Sequence, residues 1–189
     1  MYKSICILFG LFFLISCENK PTLQKYFVKN TESDDFVSVD LAPSVINTEN
    51  IKLTPDEKAA LASFDKMNIL AYKTDLTYTE KFDQEIKEVK TLLQEDSYKE
   101  LMKVGSGSDG AAVYFVGDEA HIDEFVVLAS KREKGFAIVR VLGNDMNPTY
   151  VLNMLQLLKK SDLQLEQLKP IQDIMKNKKI PLAGFFYFL

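Results

Sequence analysis

The chain has 189 residues, with 23 basic and 27 acidic side chains and a formal net charge of −4. Nucleic-acid binding draws on clustered lysine and arginine side chains, and the sequence contains no such basic stripe. The arginines are Arg132 and Arg140 alone, so bidentate recognition of phosphate has few sources. We therefore expect no nucleic-acid partner.

The amino terminus has the pattern of an export signal. An apolar run from Ile5 to Ile15 follows Lys3 and ends with the small Ser16 directly before Cys17. This order is typical of a cleaved secretory segment, whereas a transmembrane anchor needs roughly 20 apolar residues. The cysteine resembles the lipobox of a bacterial lipoprotein signal, which predicts that residues 1–16 are removed and that Cys17 is lipidated. An ordinary signal peptide with a coincidental cysteine is the alternative.

Lipidation of Cys17 would leave the mature domain without a thiol, because Cys6 leaves with the signal. That excludes disulfides, thiolate metal sites and cysteine nucleophiles. The lipoprotein resemblance implies a diacylglycerol and usually an amide-linked acyl chain, and stable anchoring takes more than one chain. Residues 17–21 are a short linker, so we expect the domain to lie close to the bilayer. Because Glu18 is the only acid beside the cysteine, we expect the domain to face the periplasm.

The first half of the mature chain alternates predicted helices and strands. Residues 22–31 form a short amphipathic pattern, and residues 36–41 alternate like a half-buried strand. Residues 54–57 combine a capping threonine, a proline at the first helical position and a capping-box glutamate, which predicts a helix to about Lys66. A second strand is predicted from Met67 to Lys73.

The second half is predicted to be mainly strands. A capping-box pattern at 77–80 precedes apolar residues at helical spacing, which we interpret as core-facing: Phe82, Ile86, Val89 and Leu93. Four strand-like segments joined by short links then favour an antiparallel meander: 98–104, 111–117, 122–130 and 135–142. Asn147-Pro148 predicts another helix, with a further helical stretch after Ser161.

This order of elements predicts an α+β fold, with a mostly antiparallel sheet of about six strands and helices packed on one face. No repeat or Pro/Gly/Ser-rich linker divides the chain. We therefore expect one domain at residues 22–175, followed by a basic and aromatic tail at residues 176–189.

Two short motifs suggest nucleotide binding and are better explained otherwise. Residues 105–110 have the glycine spacing of a dinucleotide loop, but residues 111–116 continue as a strand rather than as the helix that would face a phosphate. Residues 118–121 spell a helicase box, yet the chain has no phosphate loop ending in Gly-Lys-Ser/Thr. We expect no nucleotide and no other cofactor.

The acidic segment from Asp118 to Glu124 is the candidate metal or catalytic region. Alternate strand residues share a face, so at most Glu119, His121 and Asp123 would converge. Such a set suits calcium or magnesium better than zinc. A solvated acidic turn is the simpler interpretation. No nucleophile and base arrangement is recognisable, so we assign no catalytic residues.

The tail combines lysines at 176, 178 and 179 with a closing aromatic run, Phe185, Phe186, Tyr187 and Phe188. The ten residues 180–189 are too few to span a bilayer as a helix, which takes roughly 20. One interpretation is a tail or extra strand docked on the domain. The other is an exposed surface that contacts lipid headgroups or a membrane partner.

Together with Cys17, the segments 124–128, 136–143 and 148–160 resemble a family of Bacteroidota lipoproteins, the domain of unknown function 4252. The resemblance runs from about residue 20 to 160 and depends on strand hydrophobicity and one glycine turn. It implies a small α+β envelope lipoprotein linked to sensing or regulation, and it supplies no catalytic residue.

The first functional hypothesis is a non-enzymatic binding or regulatory module, held on the lipid bilayer through Cys17 and contacting another envelope protein. One alternative is an envelope hydrolase or metal-dependent enzyme that uses residues 118–124. Another is a structural envelope lipoprotein without a discrete ligand.

Overall fold

The fold is built on one six-stranded antiparallel sheet. The structure is a computed structural model and describes residues 20–45, 48, 51–73, 79–150 and 153. Its first elements are helix α1 (Leu23–Asn30), strand β1 (Phe36–Leu41), a 3-10 turn (Pro43–Val45), helix α2 (Pro55–Ser63), strand β2 (Phe64–Lys73) and helix α3 (Thr79–Leu92). The others are β3 (Lys99–Ser106), β4 (Asp109–Asp118), β5 (His121–Lys131) and β6 (Gly135–Met146).

The strand order is β1-β2-β6-β5-β4-β3. Strands β3 to β6 are therefore a meander of hairpins, as predicted, and β2 pairs antiparallel with β6. Of the strands that the structure describes, β1 and β3 are the two at the edges of the sheet. This arrangement confirms the predicted α+β fold.

Helices α1 and α3 cover one face of the sheet, called here the helix-covered face. Thr22 caps α1 by accepting a hydrogen bond from the backbone N–H of Lys25. The predicted helical stripe of α3 is buried against the strands. This cluster contains Leu23, Tyr26, Phe27, Phe82, Ile86, Val89 and Leu92 from the helices, Leu93 directly after α3, and Phe36, Leu70, Tyr72, Val126, Leu128, Phe136 and Ile138 from the strands.

A second apolar cluster lies on the opposite face, because successive strand residues point to alternate sides. It contains Val39, Leu41, Phe64, Met67, Val113, Phe115, Ile122, Phe125, Val127, Val139, Val141 and Met146. Leu61 of α2 packs against it. The predicted placement of helices on one face thus describes α1 and α3, while α2 contributes to the other face.

Two predicted boundaries differ from the structure. The helix that begins at Pro55 ends at Ser63, not near Lys66, because Phe64 is already extended and buried in the sheet. Strand β6 runs to Met146 rather than stopping at Leu142. Gly143, which follows the predicted strand, lies within β6 and pairs with Phe64.

The capping box at Thr54 is present as predicted, with Glu57 Oε2 accepting from the Thr54 backbone N–H at 2.8 Å. The second predicted box begins at Thr77, which lies outside the described residues. Residues 148–150 are helical, and the continuation of that predicted helix also lies outside the described residues except for Asn153.

Candidate functional site

Most of the predicted envelope contacts fall outside the described residues. These are Cys17, Phe185, Phe186, Tyr187 and Phe188. None of the described helices has both the length and the apolar character that a membrane span requires. The candidate metal ligands Glu119, His121 and Asp123 are all described.

The acidic segment is the hairpin between β4 and β5. Asp118 pairs with His121, and residues 119–120 form the turn. The imidazole Nδ1 of His121 lies 2.8 Å from Asp145 Oδ1 at the end of β6, and both side chains are 72% exposed. Within the described ranges, no group of three or more His, Cys, Asp or Glu side chains is arranged to hold a metal ion. The structure therefore joins His121 to Asp145 rather than to Glu119 and Asp123.

The glycine-rich segment is the hairpin between β3 and β4, as the strand interpretation requires. Gly105 has φ +86°, and a Cβ there would lie 2.5 Å from the Asp109 carbonyl oxygen. The carboxylate of Asp109 accepts from the backbone N–H of Arg132 at 2.9 Å, and Ser108 Oγ accepts from Arg132 Nε at 3.2 Å. These contacts link the hairpin to the β5–β6 turn. The glycine and polar residues of this segment therefore have a structural role.

A buried charged cluster lies between α1 and the sheet. Arg140 of β6 is 5% exposed, and its guanidinium donates to Glu124 Oε1 at 2.6 Å and to Oε2 at 3.0 Å. It also donates to the side-chain oxygen of Gln24 and lies 5.3 Å from the ring centre of Phe27. One buried cation therefore joins β5, β6 and α1. Sequence reasoning treated Arg140 as part of an apolar strand and missed the cluster.

Tyr98 lies close enough to this cluster for its pKa to be affected. Burial is the main cause that raises the pKa of Tyr98; the negative Glu124 adds to it and the positive Arg140 opposes it. The phenol is therefore neutral at physiological pH.

Helix α1 is also joined to α3. The Tyr26 hydroxyl donates to Glu85 Oε2 at 2.7 Å, and Lys29 Nζ lies 3.7 Å from Glu88 Oε2. Burial, followed by the hydrogen bond to Glu85, raises the pKa of Tyr26 well above its ordinary value. The first helix after the predicted lipid attachment is thus fixed to both the sheet and α3.

The edge strand β3 carries an exposed apolar surface, called here the β3 strip and made of Leu101, Met102 and Val104. These side chains are 46%, 48% and 45% exposed. Among the described residues, the other exposed large apolar side chain is Val28 on α1. Exposed apolar groups on a strand edge are a common basis for protein contacts. The sequence could not identify the strip because β3 was not known to be an edge.

The family model described as "Domain of unknown function (DUF4252)" matches residues 26–154. That range includes all of β1 to β6, the Arg140–Glu124 pair and the β3 strip, while Gln24 lies just before it. No curated protein and no solved structure matches the chain significantly.

Proposed function

Because the chain belongs to the family of the domain of unknown function DUF4252, whose description assigns no activity, we propose that it is a bacterial envelope lipoprotein. In this proposal Cys17 carries the lipid, and the folded domain is a non-enzymatic binding or regulatory module on the periplasmic side. The observation that carries the proposal is the short distance in sequence between the lipobox cysteine and the anchored helix α1.

The tether would be short. Cys17 precedes Leu23, the first residue of α1, by few residues, and such a segment spans roughly 20 Å when fully extended. Gln24 on the first turn of α1 contacts Arg140 in the middle of β6. The lipid would therefore hold the domain close to the bilayer in a restricted orientation, since α1 does not move independently of the sheet.

The orientation follows from the direction of α1. The helix begins beside Arg140 in the middle of β6 and ends shortly before Phe36, which packs against Phe136 near the start of β6. The amino-terminal end of α1 thus points toward the end of the sheet that carries the β4–β5 hairpin. In the proposed arrangement that end faces the lipid, while the β3–β4 hairpin faces away from it.

The binding role is supported by how the described residues use their polar and apolar groups. Arg140 and Glu124 pair with each other under α1, and Arg132 pairs with Asp83 at 2.7 Å. The β3 strip, in contrast, leaves apolar side chains on the surface. This division suits a rigid domain that presents a contact surface.

The anchor is tested by metabolic labelling with a palmitate analogue, followed by separation of membrane and soluble fractions. Wild-type protein should carry label and remain in the membrane fraction. Cys17→Ala should lose the label, while the matched variant Cys6→Ala should keep it because Cys6 lies in the removed signal. Equal labelling of the Cys17→Ala and wild-type proteins would refute the proposed attachment site.

The binding role is tested by crosslinking the native protein in intact cells and identifying attached proteins by mass spectrometry. A specific partner of the anchored protein should be lost or reduced in Cys17→Ala. Truncation after Met175 tests whether Phe185 to Phe188 contribute to the contact. Survival of every complex after truncation and after changes in the β3 strip would refute a binding surface at either place.

A further inference from the structure

We propose that β3 pairs antiparallel with β3 of a second copy of this chain, so that the two sheets continue into one across a two-fold axis. The proposal identifies a partner for the binding module and rests on that part of the proposed function, not on lipid attachment. It is carried by three features of the strand: its edge position, its exposed apolar groups and the placement of its charges.

Among the described residues, no strand pairs with the outer side of β3, so its backbone groups are available there. Strand β3 pairs with β4 on one side and is the last strand in the sheet order. The unpaired backbone groups of an edge strand are a template for another strand. Natural edges are often protected by lysines and bulges, and β3 has both.

The apolar groups favour pairing over simple protection. Leu101, Met102 and Val104 lie within one short strand and are each close to half exposed. Lys99 does not shield them, because its Nζ is held by the Gly117 carbonyl oxygen at 2.8 Å and lies 3.6 Å from Asp118. Burying such groups between copies removes apolar area from water, which is favourable.

The bulge gives the strand a particular charge arrangement. Glu100 is opposite Tyr114 and Met102 is opposite Val113, so Leu101 is the extra residue. Lys103 is opposite Ala112. Tyr114 and Ala112 are two positions apart on β4, so they share a face of the sheet. The extra residue therefore places Glu100 and Lys103 on that same face, although they are three positions apart.

A two-fold axis between Leu101 and Met102 makes these charges complementary. In a two-fold symmetric contact, if residue i of one copy lies opposite residue j of the other, then residue j of the first copy lies opposite residue i of the second. Glu100 would then lie opposite Lys103 of the second copy, and Lys103 opposite Glu100 of the second copy. Opposite charges directly across strands are stabilising and like charges are destabilising. The same register brings Leu101 and Met102 of the two copies together at the axis.

The test is sedimentation equilibrium of the full-length lipoprotein, purified from membranes in a density-matched detergent. Wild-type protein should be a reversible dimer. Glu100→Lys and Lys103→Glu should each raise the dimer dissociation constant by about tenfold, because symmetry repeats each new repulsion at both contacts. The double variant Glu100→Lys with Lys103→Glu should restore dimerisation, because the charges are again complementary.

An apolar comparison separates edge pairing from general surface effects. Leu101→Lys should abolish the dimer, whereas Val28→Lys, at a 66% exposed apolar position on α1, should leave it unchanged. Thermal unfolding of each variant checks that the domain is folded. The charge exchange keeps the proposal testable if Leu101→Lys fails to fold.

Three results would overturn the proposal. The first is a wild-type monomer at every concentration, and the second is a double charge exchange that fails to restore the dimer. The third is a monomer that dimerises only after residues 176–189 are removed, since this would show that the tail of the same chain covers the edge. Palmitate labelling and crosslinking to other proteins are read separately, so failure of the dimer is distinguishable from failure of the proposed function.

Discussion

Arg140 and Glu124 form a bidentate ion pair between neighbouring strands, with guanidinium-to-carboxylate distances of 2.6 and 3.0 Å. The pair lies under α1, where Gln24 accepts another hydrogen bond from Arg140 and the Phe27 ring covers the cation. A buried charge is costly unless it is paired and hydrogen-bonded. The pair therefore makes the attachment of α1 to the sheet depend on both charges being present.

Removing one partner should be strongly destabilising. Glu124→Ala leaves the Arg140 cation buried, so we expect the free energy of unfolding to fall by about 3 kcal/mol. Urea unfolding followed by circular dichroism measures this change. Glu119→Ala, at an exposed acid in the adjacent turn, is the matched control and should change stability by less than about 0.5 kcal/mol.

Replacing both partners by apolar residues of similar size separates charge from packing. Glu124→Leu combined with Arg140→Met should cost less than Glu124→Ala alone, because no unpaired charge remains. A double variant as unstable as the single one would show that the Gln24 and Phe27 contacts, rather than the ion pair, dominate the stability.

Local sequence signals predicted the elements well, and long-range pairing could not be predicted. Strand β1 occupies the predicted residues 36–41, because its alternation is unbroken and turns bound it. Phe64 was assigned to a helix because nothing local indicates that it pairs with Gly143 of β6. Arg140 likewise gives no local sign that its partner is Glu124. Both facts depend on β6 lying between β2 and β5 in the sheet, which only the tertiary structure determines.

The candidate site shows the same limit. The segment that contains His121 was identified as acidic and exposed, and its hairpin position agrees with strand alternation. Asp145, its hydrogen-bond partner, was not considered, because β6 was expected to end at Leu142. The β3 strip was also missed, since a half-buried strand and an exposed edge strand have similar sequence patterns.

The Tyr26 contact predicts a loss of stability at high pH. The folded pKa of Tyr26 is raised above the unfolded value of 10.0, so the folded state holds this proton more tightly. Its contribution is fully present below about pH 10 and is lost as the pH rises further. Replacement by Phe removes both the hydrogen bond to Glu85 and this titration.

We therefore expect Tyr26→Phe to cost about 1 kcal/mol at pH 7. At pH 11 wild type should lose about 1.4 kcal/mol relative to the variant, since the unfolded wild-type tyrosine ionises, so the variant should become slightly the more stable protein. Urea unfolding at both pH values measures this. A constant difference would contradict the raised pKa, and the other tyrosines cancel because both proteins contain them.

Replacing Gly143, which lies against the end of α2, should destabilise the folded domain. A Cβ at this position would lie 2.0 Å from the Ser63 carbonyl oxygen and 2.8 Å from Met146 Sδ. Gly143→Ala should therefore force α2 away from β6 and lower the free energy of unfolding by more than about 2 kcal/mol. Urea unfolding measures the loss.

Gly107→Ala is the matched control for that substitution. No atom would lie within 4 Å of its Cβ, but its φ of +63° is unfavourable for alanine. The expected cost is about 1 kcal/mol, from backbone conformation alone. If both variants cost the same, the close approach of α2 would not explain the glycine at 143.

The exposed hairpin allows a direct test of the enzyme alternative. His121 and Asp145 are largely exposed, so His121→Ala should change stability by less than about 0.5 kcal/mol. A bound ion would stabilise the folded state and raise the unfolding midpoint. Since the binding module holds no metal, calcium or magnesium should leave the midpoint of wild type unchanged. The binding module also predicts that Glu119→Ala, His121→Ala and Asp123→Ala keep the crosslinked partner. Loss of the cellular phenotype in all three folded variants, together with metal-dependent stabilisation, would instead favour a metal-dependent enzyme.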